Sequence, residues 1–258
     1  MKKIISWNVA SIRARMAGLQ TLLENESPDF VCLQEIKVEE DKFPYFELKS
    51  LGYNAVISGQ KSWNGVAVLA KESISLKCTA LAGFEDQARF VEALAPDGTS
   101  VISVYVPNGQ APANNPEDTS RLEYKLKWFA ALAAYLKDKK NYIICGDFNV
   151  ILKDKDVYNP KLFEQSALFV PPVREAFASI LSQGMLNPLR QLADQSSEPF
   201  YSFWDFQGGA WPRNHGIFLD YILLSTDFKE RLAGAKVLKE YRGMEKASDH
   251  VPVEVDIK

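Results

Sequence analysis

The chain has 258 residues, of which 47% are hydrophobic, 24% charged and 12% aromatic. This composition is typical of a folded globular protein and excludes disordered, collagen-like and low-complexity chains. There are 30 Lys and Arg residues against 33 Asp and Glu, so the formal net charge is −3. The balance argues against a non-specific DNA coat, because such proteins carry a strong positive field. It still allows an enzyme that meets a phosphodiester over a local basic surface.

The cysteines and the N-terminus indicate a reduced compartment. None of the 3 cysteines has CxxC spacing, and Cys32 and Cys145 lie inside apolar runs, so we expect buried free thiols. The N-terminal segment turns polar after a short apolar stretch, and no segment approaches the ~20 apolar residues of a membrane span. We therefore expect a cytoplasmic protein with no membrane partner.

Segments rich in Ile, Val and Tyr alternate with helical patterns, and no Pro-, Gly- or Ser-rich linker interrupts them. This predicts one domain over residues 1–258. Strands are predicted at 2–8, 30–34, 54–58, 65–70, 90–95, 100–106, 141–146, 219–225 and 250–256. Helices are predicted near 12–25, 119–138 and 171–184. Loops rich in Pro, Gly and Asn at 107–118 and 205–216 are where binding residues tend to collect.

Polar side chains sit at the ends of several predicted strands, in a way that packing does not explain. Those that follow a strand are Asn8, Glu35, Tyr105, Asp147 and Asn149, and those that precede one are Asp220, Asp249 and His250. If all of them meet at one rim, strands of opposite direction share that rim. This favours packed mixed or antiparallel sheets over an all-parallel sheet.

The chemistry of this set points to phosphate-ester hydrolysis. Carboxylates, amides and a Tyr hydroxyl are ligands for a hard cation such as Mg²⁺, with Mn²⁺ as an alternative. The absence of a thiolate or multi-His set argues against zinc. A hard cation, a His beside an acid and an Asp-x-Asn pair suit attack of water on a phosphate ester.

The same residues lie in short motifs that occur in order between residues 4 and 253: SWNV (6–9), LQEIK (33–37), NGVAVL (64–69), YVPNG (105–109), GDFN (146–149), LDY (219–221) and SDH (248–250). In this order they resemble the exonuclease III family of abasic-site endonucleases, within the endonuclease/exonuclease/phosphatase superfamily. The resemblance implies an α/β fold, a four-layered αββα sandwich of two packed mixed sheets flanked by helices. It also implies Mg²⁺-dependent hydrolysis 5′ to an abasic site, often with 3′–5′ exonuclease or 3′-phosphatase activity. The implied partner is double-stranded DNA with abasic sites or blocked 3′ ends, bound by a monomer.

The resemblance implies metal and water roles for part of the set. Glu35 would be the main metal ligand, with Asn8 and Asp249 near the same ion. Asp147 would position or deprotonate the attacking water, and Asn149 would steady that water and the developing oxyanion. Asp147 and Asn149 are also candidate ligands of a second metal.

Other matched residues would contact the phosphate. His250, oriented by Asp220, would hold a phosphate oxygen, and the sequence leaves open whether it acts as a base or as a hydrogen-bond donor. Tyr105 and Asn108 would contact the scissile phosphate. Arg13, Lys37, Lys61 and Arg89 are either contacts to the DNA backbone or simply solvated.

A final group would bind the sugar. Phe203 and Trp204, with Ile217 and Leu219, would form an apolar cup for a flipped abasic sugar, although Trp204 suits a core role equally well. Asn214 would lie on a loop that faces the DNA. Two positions depart from the family pattern: Ala10 replaces a carboxylate or amide that supports the metal, and Phe218 replaces an Arg that would serve as a phosphate contact or ion pair.

Three other functions stay open. A 3′-end-processing nuclease with little abasic incision would share every motif. A phosphatase or phosphodiesterase of small substrates would share the scaffold, but the Phe203–Trp204 segment argues against it. A non-catalytic binding protein is expected to have broken motifs, whereas the acidic and His residues are all present here.

Overall fold

The structure is a computed structural model that describes residues Met1–Lys258. Its strands are β1 (Lys2–Asn8), β2 (Phe30–Gln34), β3 (Asn54–Ser58), β4 (Val66–Ala70), β5 (Ser75–Cys78), β6 (Phe90–Leu94), β7 (Ser100–Tyr105), β8 (Tyr142–Asp147), β9 (Asp220–Leu224), β10 (Leu232–Val237) and β11 (Val253–Ile257). Its helices are α1 (Met16–Glu26), α2 (Tyr45–Ser50), α3 (Ser120–Leu136), α4 (Pro171–Leu181) and α5 (Pro188–Gln195), with short 3₁₀ turns between them.

The strands form two mixed sheets that pack against each other. One has six strands in the order β10-β11-β1-β2-β4-β3, and the other has five in the order β5-β6-β7-β8-β9. Helices α1 and α2 cover the outer face of the first sheet, and α3 and α4 cover the outer face of the second. The predicted four-layered sandwich of two mixed sheets flanked by helices is confirmed.

Burial of both faces of a strand explains its sequence pattern. In β2 all residues are buried. Phe30 and Cys32 face the layer between the sheets, whereas Val31 and Leu33 pack under the helices. Alternate residues of a strand point to opposite faces, so a strand covered on both faces is an unbroken apolar run.

The pairing register brings the polar strand ends to one edge. Strand β1 runs parallel to β2 and β7 runs parallel to β8, so four carboxyl ends share this edge. Strand β9 is antiparallel to β8, with Asp147 opposite Asp220, and Tyr105 is opposite Asp147 on the other side. The predicted meeting of strands of opposite direction is therefore confirmed.

Several elements differ from the predictions. Helices α2 and α5 and strands β5 and β10 were not predicted, and both strands are half-exposed edges with weak apolar patterns. Helix α1 begins at Met16 rather than near residue 12. Strand β11 begins at Val253 rather than at 250, because Pro252 has no N–H to donate to a ladder.

The predicted buried free thiols, Cys32 and Cys145, are confirmed. None of the helices is both long enough and apolar enough to cross a membrane.

Gly146 in β8 offers a test of the central packing. A Cβ added there would lie 2.1 Å from the carbonyl oxygen of Val104, which is backbone and cannot swing away. We expect Gly146→Ala to lower the free energy of unfolding by about 1–3 kcal/mol, the usual range for overpacking. Urea denaturation measures this. Gly243→Ala is the control, because no atom lies within 4 Å of its added Cβ, and an equal loss in both variants would contradict the packing argument.

Candidate active site

Glu35 occupies a strained backbone position directly after β2. Its φ is +51°, in the left-handed region that costs an L-residue about 1–2 kcal/mol. Its carbonyl accepts from Ser11 N at 2.8 Å, and the next amide, Ile36 N, donates to Gly65 O at 3.1 Å. These bonds hold the turn that directs Glu35 to the edge. Its carboxylate meets Lys37 Nζ at 2.7 Å.

Asn8 links the two sheets at this edge. Its Nδ2 donates to Glu35 Oε1 at 2.9 Å and to Asp147 Oδ2 at 3.0 Å. The same Nδ2 lies 3.4 Å from His250 Nε2. The Ser248 hydroxyl lies 2.7 Å from the Asn8 carbonyl oxygen and 3.2 Å from Asp249 Oδ1. The structure thus brings together Asn8, Glu35, Asp147 and His250, with Asp249 joined through Ser248.

His250 lies between two carboxylates. Its Nδ1 is 2.8 Å from Asp220 Oδ2, and its Nε2 is 3.6 Å from Asp147 Oδ2. Asp220 Oδ2 also accepts from the buried Ser202 hydroxyl at 2.6 Å. Phe203 forms a β-bridge with His250 and packs its ring on the imidazole, with centroids 4.8 Å apart. The imidazole is therefore fixed in orientation from both ends and from one face.

The buried charges set the protonation states. Burial by itself would lower the pKa of His250, but the negative charges of Asp220 and Asp147 raise it to about 10. Burial raises the pKa of Asp147 to about 7, against the lowering effect of His250. Burial would also raise the pKa of Glu35, but hydrogen bonds from Lys37 and Asn8 lower it overall. Near neutral pH the imidazole therefore carries a proton, and the raised pKa makes Asp147 a stronger base than an ordinary carboxylate.

The second sheet contributes a group that suits phosphate binding. Asn149, with φ of +48°, follows β8, and its Nδ2 donates to Val106 O at 2.9 Å. Asn108 Nδ2 donates to Asn149 Oδ1 at 3.3 Å. Burial, followed by the charges of Glu35 and Asp147, raises the pKa of Tyr105 well above its usual range, so the phenol keeps its proton. The Arg89 guanidinium stacks on the Tyr105 ring at 4.7 Å.

The donor set fits a hard divalent cation rather than an all-protein metal cage. No three His, Cys, Asp or Glu side chains converge in the manner of such a cage. Mg²⁺ is commonly held by one or two carboxylates and several waters. The half-buried Glu35 carboxylate, whose pKa is lowered, meets that requirement. Asn8 turns its Nδ2 toward Glu35, whereas its side-chain oxygen accepts from Ala10 N at 3.0 Å.

The predicted sugar-binding residues separate into two groups. Phe203, Ile217 and Leu219 lie in one apolar cluster with Leu168 and Phe169, beside His250. Trp204 is fully buried in a different cluster, and its Nε1 donates to Asn214 Oδ1 at 3.1 Å. Trp204 has no surface for a substrate, so the structure favours its core role, and Asn214 is exposed but fixes the Trp204 ring.

The two departures from the family pattern have local explanations. Phe218 is fully buried and stacks on Tyr221, so its position faces the core and not the phosphate. The loss of a phosphate contact or ion pair at this position stays a prediction. Arg190 of α5 lies over the Phe218 ring at 5.5 Å and pairs with buried Asp156 at 2.5 Å, so a cation reaches this region from another element. Ala10, with φ of +46°, donates its N–H to Asn8 Oδ1 at 3.0 Å.

Sequence reasoning missed two residues of the site. Ser202 carries no motif, and only the fold brings its hydroxyl to Asp220. Lys125 of α3 is fully buried and donates to Asn149 O at 2.6 Å, and burial lowers its pKa to about 7. Its position in the apolar stripe three and four residues before Trp128 and Phe129 was the available signal.

Comparison with known proteins finds similar sequences and structures over almost the whole chain. The family model described as Endonuclease/Exonuclease/phosphatase family matches residues 5–250. An exodeoxyribonuclease of Bacillus subtilis is 33% identical over 99% of both chains. A solved AP endonuclease of Archaeoglobus fulgidus superposes with a TM-score of 0.92 at 32% identity, covering 100% of both chains. A 3′ phosphatase, NExo, from Neisseria bound to a product DNA hairpin superposes with a TM-score of 0.90 at 32% identity, again over 100% of both chains.

The pairing of His250 with Asp220 predicts that the pKa of His250 depends on the charge of Asp220. Asp220→Asn removes a negative charge 2.8 Å from the imidazole and leaves only the charge of Asp147 to oppose the effect of burial, so the pKa of His250 should fall from about 10 by roughly 1–3 pH units. NMR titration of the ring resonances without added metal measures this. The only other histidine, His215, stacks on Tyr158 and serves as the internal control. An unchanged His250 titration would show that Asp220 does not hold the proton there.

Proposed function

The chain belongs to the endonuclease/exonuclease/phosphatase family, and from this premise we propose that it is a DNA repair nuclease of the exonuclease III type. It hydrolyses the phosphodiester 5′ to an abasic site and processes blocked 3′ ends. The predicted family and the expected class, a nucleic-acid hydrolase, are confirmed by relatives that match almost the whole chain. Substrate, metal and individual residue roles are the proposals that follow.

One observation carries the proposal: a buried cationic imidazole and a basic carboxylate face the same point. His250 Nε2 lies 3.6 Å from Asp147 Oδ2, and Asn8 Nδ2 lies 3.0 Å from that oxygen. A phosphate beside this point would meet a donor for its non-bridging oxygen and a base for the attacking water. A binding protein has no need to bury such a pair, because burying charge is costly.

The roles follow from the contacts. Asp147, whose pKa burial raises to about 7, accepts the proton of the attacking water as the water oxygen bonds to phosphorus. The P–O3′ bond breaks, and the leaving 3′ oxygen takes a proton from solvent. His250, held by Asp220 Oδ2 at 2.8 Å, donates to a phosphate oxygen and does not act as the base, because its pKa of about 10 keeps it protonated. Asn149 and the protonated Tyr105 supply further donors to the phosphate.

We propose Mg²⁺ as the cofactor, with Mn²⁺ as a substitute. Glu35 would be its main ligand, with Asn8 and Asp249 near the same ion. The cation would supply charge stabilisation to the phosphate oxygens as a Lewis acid. Lys37, 2.7 Å from Glu35, neutralises the carboxylate from the protein side.

Two clefts with basic walls provide a locally positive surface, although the net charge of the whole chain is −3. One, of about 610 Å³, is lined by Arg13, Arg15, Arg242 and Lys246 beside the exposed Phe206. The other, of about 650 Å³, adjoins the site through Asn108 and carries Arg89 and Arg121. Cationic side chains on both sides of the catalytic edge suit a double-stranded DNA backbone better than a small phosphate ester.

A second candidate function is 3′-end processing with little abasic incision. The apolar group beside His250 is tightly filled: Ile217 is 4%, Leu219 3% and Leu168 7% exposed. A flipped sugar would have to displace part of this group, whereas a terminal 3′-phosphate would not. The likeness to a 3′ phosphatase over the full chain agrees with this candidate.

Removing the proposed base is a direct test of the chemistry. We expect Asp147→Asn to lower the cleavage rate by at least about 100-fold, the usual contribution of general base catalysis, while the circular dichroism spectrum and melting temperature remain close to wild type. Asp138→Asn makes the same chemical change at an exposed position beyond the far end of α3 and should cleave normally. Retained activity of the Asp147 variant would refute the assigned role.

A panel of duplexes tests the substrate. One carries an abasic site, one a 3′-phosphate and one an undamaged recessed 3′ end, each with Mg²⁺, Mn²⁺ or EDTA. We expect metal-dependent cleavage, abolished by EDTA, with the abasic duplex incised fastest. Metal-dependent 3′-end removal without abasic incision would select the second candidate, and activity on none of the three would reject the proposed function.

A further inference from the structure

Lys125 is a buried lysine with an unusual set of partners. The residue is 0% exposed in the interior face of α3. Its Nζ donates to the carbonyl oxygens of Asn149 at 2.6 Å, Ala167 at 2.7 Å and Asn108 at 3.0 Å. An ammonium group has three donors, and all three are used by backbone carbonyls rather than by a carboxylate.

These carbonyls belong to three separate segments. Asn108 follows β7, Asn149 follows β8, and Ala167 precedes α4. The side chains of the two asparagines are bonded to each other, Asn108 Nδ2 to Asn149 Oδ1 at 3.3 Å. A single side chain therefore fixes the backbone beneath both asparagines that face the proposed phosphate position.

Packing alone does not explain a lysine here. Burying an ammonium group is costly, and an apolar side chain of similar length would fill the same volume without that cost. The chain also closes tightly around the lysine stem, because a Cβ added at Gly109 would lie 2.8 Å from Lys125 Cδ. The three bonds are what an apolar residue could not supply.

We propose that Lys125 is a positioning residue that holds Asn108 and Asn149 at the spacing required for catalysis, an inference that rests on the proposed function. It touches neither substrate nor reacting atoms. Its effect passes through the backbone of the two asparagines. Displacement of such groups by about 1 Å can cost up to about 100-fold in rate.

The kinetic test compares Lys125→Met, Lys125→Arg and the control Lys127→Met, which removes the same charge from an exposed position two residues further along α3. We expect the Met variant at position 125 to lower kcat by about tenfold or more with a smaller change in KM, and Arg to restore part of the loss. The control should behave as wild type. Normal kcat and KM in a folded Lys125→Met protein would overturn the proposal.

A double-mutant cycle separates positioning from general stability. If Lys125 acts through Asn108 and Asn149, then Lys125→Met should cost less than about twofold in a background that carries both Asn108→Ala and Asn149→Ala. An additive loss in that background would overturn the proposal. If melting curves show that the Met variant does not fold, Lys125→Gln, a neutral donor, replaces it in the same cycle.

A structural readout keeps this inference distinct from the proposed function. The crystal structure of Lys125→Met, or of Lys125→Gln, should show the Asn108 Nδ2 to Asn149 Oδ1 bond, 3.3 Å in the wild type, broken or lengthened. An unchanged bond would overturn the proposal. A wild-type protein inactive on every duplex would reject the nuclease function, whereas the crystal structure would still decide the role of Lys125.

Discussion

The buried ion network of Asp147, His250 and Asp220 constrains how the two sheets meet at the catalytic edge. All three side chains are nearly inaccessible to water, and isolated charges at such depth would be too costly to keep. The strand register brings the two carboxylates together, because Asp147 and Asp220 lie opposite each other on β8 and β9. His250 comes from the segment before β11 in the other sheet, and its positive charge lies between the two carboxylates. The two sheets must therefore pack in one relative position for the charges to be satisfied.

The polar residues at strand ends made this network predictable. A carboxylate or amide directly after an apolar strand marks the edge of a sheet, and ordered motifs marked which edges meet. Glu35, Asp147, Asp220 and His250 lie where those motifs indicated, and the sandwich was predicted with most of its central strands. The edge strands β5 and β10 were not, because a half-exposed strand has little apolar pattern to detect.

Residues that act through tertiary contacts left weaker signals. Ser202 donates to Asp220 from a distance of 18 residues, and no local pattern identifies such a bond. The sequence also left open where the Phe218 ring would lie, and the fold buries it in the core. The position of Lys125 on the apolar face of a helix was detectable in the sequence. The sequence alone does not predict which carbonyl oxygens it contacts. Each of these cases depends on which long-range neighbour the fold supplies.

The catalytic edge is acidic, and the substrate proposed for it is a polyanion. Glu35, Asp147, Asp220 and Asp249 carry four formal negative charges at the catalytic edge, and His250 and Lys37 return two, which leaves an excess of two. A phosphate approaching that excess would be repelled unless a divalent cation neutralised it. The arginines of the flanking clefts lie outside the acidic centre, where they would attract the neighbouring phosphates. On the proposed function, the arrangement would separate binding from chemistry: the basic clefts would hold the DNA strand, whereas the acidic edge would hold the metal and the scissile phosphate.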